Sequence, residues 1–141
     1  AVSRRFPVGF DVAGFKREWN AIWRVDMPGM RELLDECRGA GIPLYLLSNI
    51  NELHAQHFLK HKGILKSFER CFLSYEIGFN KPDSGIYRHV IDELGVPPES
   101  ILFFDDLPAN VEGARACGMR AHVFTSTAAA RRHLLKAGLR L

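Results

Sequence analysis

The sequence predicts an α/β fold with a mostly parallel sheet and helices on both of its faces, and three observations carry that expectation. Short, almost wholly apolar runs recur along the chain, as strands buried on both faces require. Between them lie stretches of roughly ten to fifteen residues with helical character, the alternation that right-handed βαβ crossovers produce. Three of the apolar runs lead into polar or charged residues: Ser48-Asn49, Ser74 with Lys81 further on, and Asp105-Asp106. Ligands of open parallel sheets bind outside the carboxyl ends of the strands, so those endings mark the candidate site.

Residues 1–10 show no usable periodicity. From Asp11, which can cap a helix, Phe15, Trp19, Ile22 and Trp23 share one helical face. Pro28 and Gly29 break that pattern, and Met30, Leu33, Leu34 and Cys37 begin another helix that ends at Gly39–Gly41. Pro43–Leu47 reads as the first apolar strand, and residues 51–62 as a helix stopped by Gly63. Cys71–Ser74 is the next strand, followed by a loop through Gly78 to Pro82 and a helix over 84–94 stopped at Gly95. Ile101–Phe104 is a strand, 109–117 a helix closed by Gly118, 121–124 a strand and 127–137 the last helix.

The totals exclude several classes. The 141 residues suit one domain, with 47% apolar and 25% charged residues, ordinary for a globular protein. A formal net charge of +3 is too small to argue for a nucleic-acid partner, and the basic cluster Arg131, Arg132, Lys136 and Arg140 reads as a solvated helix face. Cys37, Cys71 and Cys117 stand far apart without metal-ligand spacing, which suits reduced thiols in a cytoplasmic protein. No signal peptide is evident, and no apolar run approaches the roughly 18 residues of a membrane span, so no membrane partner is expected.

Chemistry concentrates at Asp105-Asp106. Adjacent carboxylates after a buried strand repel one another and resist desolvation, and a divalent cation such as Mg²⁺ offsets both effects. A helix N-cap, with Pro108 in the first turn, needs only one acid. Asn110 can reach back to the same place from that first turn. Ser48 and Asn49, where a strand hands over to a helix, offer a hydroxyl and backbone N–H groups to an anion, although the same pair is common turn chemistry. Lys81, its backbone restricted by Pro82, would set an ammonium beside the cation, as a transferring phosphoryl group requires. Alone, Lys81 reads as a surface lysine. His54, His57 and His61 follow helical spacing, but nothing nearby completes a metal site, and a polar helix face is the better reading.

The order Ser48, Lys81, Asp105-Asp106 on successive strand ends resembles motifs two to four of the haloacid dehalogenase (HAD) superfamily. The resemblance rests on Leu46-Leu-Ser-Asn49, Lys81-Pro-Asp83, and Phe103-Phe-Asp-Asp-Leu-Pro-Ala-Asn110 followed by Gly113-Ala-Arg-Ala-Cys-Gly118. Trp19-Asn-Ala-Ile-Trp23 is similar to the end of the helical cap in a subgroup that includes bacterial sugar-phosphate phosphatases. The stretch from Asp105 to Met119 is similar to the phosphatase domain of soluble epoxide hydrolases. The resemblance implies a Rossmannoid three-layer sandwich, with residues 1–28 as the end of the cap and its return linker and 29–141 as the core. It further implies Asp106 as a direct Mg²⁺ ligand and Asp105 as a neighbouring, water-bridged one. Ser48 and Asn49 would bind phosphoryl oxygens, and Lys81 would pair with phosphate and nucleophile. Asn110 stands where many relatives carry another carboxylate.

Family members begin with a strand ending Asp-x-Asp, whose first Asp attacks phosphorus and whose second serves as acid and base. Nothing here matches it; Phe10-Asp11-Val12-Ala13-Gly14 comes nearest, with Ala where the second acid belongs. That strand lies mid-sheet between those ending at Ser48 and Asp105, and without it two inner edges would lack partners. The sequence is therefore expected to be the rear part of a longer protein, with the first strand and most of the cap upstream, rather than one whose gap another segment fills. The implied activity is Mg²⁺-dependent hydrolysis of a small-molecule phosphate through an aspartyl-phosphate. The alternatives are a haloacid dehalogenase-type hydrolase, which would need no cation, and a non-catalytic binding module lacking the nucleophile. A receiver domain also pairs acids with a lysine, but in the opposite chain order.

Overall fold

The computed structural model describes residues 8–11, 27–60 and 62–141. Five parallel strands form one sheet in the order β3-β2-β1-β4-β5. They are β1 (Val8–Asp11), β2 (Leu44–Ser48), β3 (Arg70–Leu73), β4 (Leu102–Asp105) and β5 (Arg120–Val123). The longer helices are α1 (Met30–Gly39), α2 (Glu52–Lys60), α5 (Ser84–Leu94), α6 (Pro108–Ala116) and α7 (Thr127–Lys136). Two four-residue helices, α3 (Lys62–Leu65) and α4 (Ser74–Ile77), flank β3.

The expected alternation is observed, with strand bounds displaced by one residue. Two details differ. Gly63 lies within α3 instead of stopping the preceding helix. Ser74, expected to end a strand, begins α4.

The larger difference is at the centre of the sheet. Val8–Asp11, expected from the sequence to lie within the end of the cap and its return linker (residues 1–28), is instead strand β1 between β2 and β4. Its register runs Val8 to Leu44 and Asp11 to Leu47 on one side, and Val8 to Leu102 and Phe10 to Phe104 on the other. The physical reason is the one that made the gap untenable: unpaired backbone groups on two inner edges are costly, and this segment pairs both. Asp11 therefore ends a strand at the carboxyl edge. The proposed cap helix with Phe15, Trp19, Ile22 and Trp23 lies outside the described residues.

Period-two alternation of the strand side chains builds a core on each face of the sheet. Leu44, Leu102 and Phe104 pack with Leu33, Leu34 and Cys37 of α1 and with Ala130 and Leu134 of α7. Leu47, Phe72, Phe103 and Ala121 face the other way, onto Ile86, Tyr87 and Val90 of α5 and Val111 and Ala114 of α6. These two helical layers make the three-layer α/β sandwich. Close packing reaches the loop that carries Lys81: a Cβ on Gly113 would lie 2.8 Å from both the Pro82 carbonyl oxygen and the Tyr87 ring. Only glycine lets α6 approach so near.

The edge of the sheet holds a stacked imidazole pair. The rings of His122 in β5 and His133 in α7 lie 3.8 Å apart at 17°, both beside Phe104. Burial lowers both pKa values; for His122 the charges of His133, Arg115 and Arg120 add to it, and for His133 those of Lys136 and Arg132. Unfolded imidazoles take up protons near their ordinary 6.5, the folded ones only at lower pH. The unfolded chain thus binds more protons below that value, and stability is lost as pH falls from there. Between about pH 7.5 and about pH 5.5 the melting temperature should fall less in His133→Gln than in the wild type. Equal falls in the two proteins would show that the stacked pair is not responsible.

Candidate active site

Three strand ends and two loops converge at the carboxyl edge of the sheet. Asp105, the last residue of β4, is fully buried. Its Oδ2 accepts from Lys81 Nζ at 3.0 Å and from Asn110 Nδ2 at 2.9 Å, and its Oδ1 accepts from the Leu107 N–H at 2.8 Å. Asp105 is thus neither the N-cap of α6, a position that Leu107 occupies, nor an acid turned toward solvent. It is an internal anion surrounded by three donors.

Lys81 is 4% exposed, and its ammonium also donates to the Leu47 carbonyl at 3.1 Å. Because Leu47 belongs to β2 and Asp105 to β4, Nζ lies across the end of β1, the strand between them. Burial pulls the Lys81 pKa down to about 8, against the opposing pull of the Asp105 charge and hydrogen bond and of the Asp106 charge. The Lys81–Pro82 peptide is cis. Asp83, two residues on, caps α5 by accepting from the Gly85 N–H at 2.7 Å.

Asp106 stands differently. Its Oδ1 is shut off from solvent with no hydrogen-bond partner among the described residues. Burial, followed by the charge of Asp105 and a hydrogen-bonding interaction with its side chain, raises the carboxyl above the ordinary 3.8, with the backbone of Asp106 and the Lys81 charge opposing. Buried carboxylate oxygens are almost always partnered, and a bound cation would satisfy this one. Among the described residues, Asp106 has an oxygen free to take the Mg²⁺ that the resemblance implies. Among the described residues no group of three His, Cys, Asp or Glu converges on a metal.

The other expected residues divide between the site and its supports. Ser48 is buried at the end of β2, paired in register with Leu73 of β3. Asn49 turns to the loop of Lys81: its Nδ2 donates to the Lys81 carbonyl at 3.0 Å and its Oδ1 accepts from the Lys81 N–H at 2.8 Å. Asn110 reaches the site, as its spacing suggested, but spends its amide on Asp105. Its own carbonyl accepts from the Tyr87 hydroxyl at 2.7 Å. Sequence reasoning missed the part played by Ser74, whose Oγ accepts from the Ile50 N–H at 2.9 Å and donates to the Ile50 carbonyl at 3.1 Å. Its position directly after a buried apolar run was the available signal. His54 is exposed; the side chains of His57 and His61 lie outside the described residues.

Comparison with known proteins shows which ones this chain is similar to. A chain 38% identical over 97 residues is a phosphatase, MT3486, from Mycobacterium tuberculosis; the match covers 68% of this chain but only 45% of that one. A HAD family enzyme from Bacteroides thetaiotaomicron, solved in complex with magnesium and inorganic phosphate, superposes with a TM-score of 0.63 at 28% identity, covering 79% and 62% of the two chains. A dehalogenase superposes with a TM-score of 0.60 at 29% identity over 67% of this chain and 42% of its own. This chain therefore spans less than two thirds of each of these three relatives. The profile of the haloacid dehalogenase-like hydrolases matches residues 12–118. With that match spanning most of the sequence, the chain belongs to the haloacid dehalogenase-like hydrolase family.

Proposed function

We propose that the full-length protein is a Mg²⁺-dependent phosphomonoesterase acting on a small organic phosphate. The observation that carries this reading is that one strand end holds both a buried ammonium fixed on Asp105 and, on the next residue, a buried carboxylate oxygen without a hydrogen-bond partner. Asp106 would hold Mg²⁺, with Asp105 behind it. When bound, the cation would supply positive charge to the phosphoryl oxygens and bring nucleophile and phosphate together. Lys81 would neutralise the phosphoryl group through a charge that is already desolvated and needs no reorganisation. Ser48 would add a hydroxyl donor from the end of β2.

The attacking carboxylate, which would form the aspartyl-phosphate, is assigned to a segment outside this sequence. Three observations support that assignment. The family match begins at residue 12, beyond β1. Ala13 stands where a second acid would serve as proton donor. The phosphatase relative is more than twice as long as the part matched. On this reading the strand carrying the nucleophile would take the central slot in place of Val8–Asp11. A second reading, in which Asp11 itself accepts the phosphoryl group, is favoured by one observation: its backbone ends the central strand, beside Leu47 of β2 and one residue after Phe10, which is in register with Phe104 of β4. A dehalogenase would need no cation, and the orphaned Asp106 oxygen weighs against that activity.

Full-length protein should hydrolyse p-nitrophenyl phosphate with Mg²⁺, and Asp106→Asn should lower kcat at least about a hundredfold. Unchanged turnover in that variant would overturn the metal assignment. Phosphate affinity should also decline as pH rises past about 8, where Lys81 gives up its proton. The 141-residue chain alone should be inactive; turnover from it that disappears in Asp11→Asn would instead establish the second reading.

A further inference from the structure

Asn49 follows directly on the strand-end serine, where a phosphate ligand was expected. Its carboxamide is committed elsewhere. The nitrogen donates to the Lys81 carbonyl at 3.0 Å and the oxygen accepts from the Lys81 N–H at 2.8 Å, so one side chain closes a ring on a single residue's backbone. The two residues are 32 positions apart. Within the same interface Ser74 makes the corresponding two bonds to Ile50, in the opposite direction along the chain. The loop leaving β2 and the loop leaving β3 are thus stitched together twice, each time by a side chain satisfying both polar groups of one backbone residue.

The consequence concerns Lys81. Its Nζ is held at the far end by Asp105 and the Leu47 carbonyl, at 3.0 and 3.1 Å. Those bonds fix the ammonium only if the backbone that launches the side chain is itself fixed. A lysine has four rotatable side-chain bonds, and a loop free to shift by an ångström would let the ammonium follow it. Both ends of Lys81 are pinned, and Asn49 pins the backbone end.

We propose that Asn49 is a positioning residue that acts through Lys81, and not a phosphate ligand. This inference rests on the phosphatase reading above, in which Lys81 meets the transferring phosphoryl group. The serine at 48 then remains the side-chain donor from this turn, while Asn49 sets where the lysine stands.

A double-mutant cycle in the full-length protein, with p-nitrophenyl phosphate and Mg²⁺, separates the two roles. Asn49→Ala should lower kcat about tenfold with KM within about twofold, because lysine and charge remain but are misaligned in the transition state. Lys81→Gln, whose amide can still donate to Asp105, should lower kcat about a hundredfold. The double variant should be no slower than Lys81→Gln alone. Losses that multiply, or a rise in KM for Asn49→Ala at constant kcat, would overturn the proposal in favour of direct phosphate contact. Should Lys81→Gln not fold, amide hydrogen exchange decides: the Lys81 N–H should exchange at least about tenfold faster in Asn49→Ala, and unchanged protection would refute the clamp. Wild-type protein without turnover would remove the phosphatase reading, while the exchange measurement would still report on the clamp itself.

Discussion

Asp105→Asn should destabilise the protein by about 3–5 kcal/mol at neutral pH, the cost of breaking a buried ion pair by removing one partner. The pair is Lys81 Nζ and Asp105 Oδ2, both side chains fully buried. The asparagine oxygen can still accept from the Leu107 N–H, but its NH₂ group then faces two other donors, Lys81 and Asn110. Deprived of its counter-ion, the ammonium is left with the Leu47 carbonyl and whatever else it touches, in a place where burial already lowers its pKa to about 8. Releasing the proton relieves the strain. The deficit relative to wild type should therefore shrink as pH is raised from about 7 to about 9. The double variant Asp105→Asn/Lys81→Met should lose less than the sum of the single losses, because no uncompensated charge remains. Urea denaturation at several pH values measures all of this. An exposed pair, by comparison, would be worth at most about 1 kcal/mol.

Asp106→Asn should do the opposite to stability while removing function. In the wild type the Asp106 oxygen is buried without a partner, and burial and the adjacent charge raise its carboxyl above the ordinary value. The folded state then holds a proton over a range in which the unfolded chain has released it. Stability accordingly declines as pH rises through that range, from 3.8 up to the raised value. Without metal at neutral pH, the neutral amide should melt at the wild-type temperature or a few degrees above it, a gain of up to about 1 kcal/mol. Mg²⁺ should reverse the order by stabilising only the carboxylate form. This contrast with Asp105 separates two acids that the sequence presents as a pair.

Much of this was legible in the sequence because it depends on local pattern. Apolar runs such as Leu44–Leu47 and Ile101–Phe104 can be satisfied only by burial on both faces, and Gly95 and Gly118 stop their helices where punctuation says they should. Ser48, Lys81, Asp105 and Asp106 could be named as candidates because they follow successive strands in an order that resembles the family's motifs, and strand ends in a parallel sheet share one edge. What was not legible depends on contacts made across the fold. β1 has four residues, one of them glycine, and no period long enough to read; its place follows from the unpaired edges of β2 and β4, not from its own composition. Asn49 could be read as an anion ligand because turn chemistry and anion binding use the same amide, and its bonds to Lys81 cross 32 residues of sequence. Likewise, two adjacent acids look alike until Lys81 and Asn110 are seen to converge on one of them.

The central claim is that Asp106 is where the cation binds, with Asp105 and Lys81 as the charged frame behind it. Calorimetric titration of Mg²⁺ into the full-length protein in the presence of inorganic phosphate tests it most directly. The wild type should bind one Mg²⁺, and Asp106→Asn, folded and at least as stable without metal, should show binding weakened by at least about a hundredfold. Mg²⁺ bound by Asp106→Asn with wild-type affinity would contradict the account.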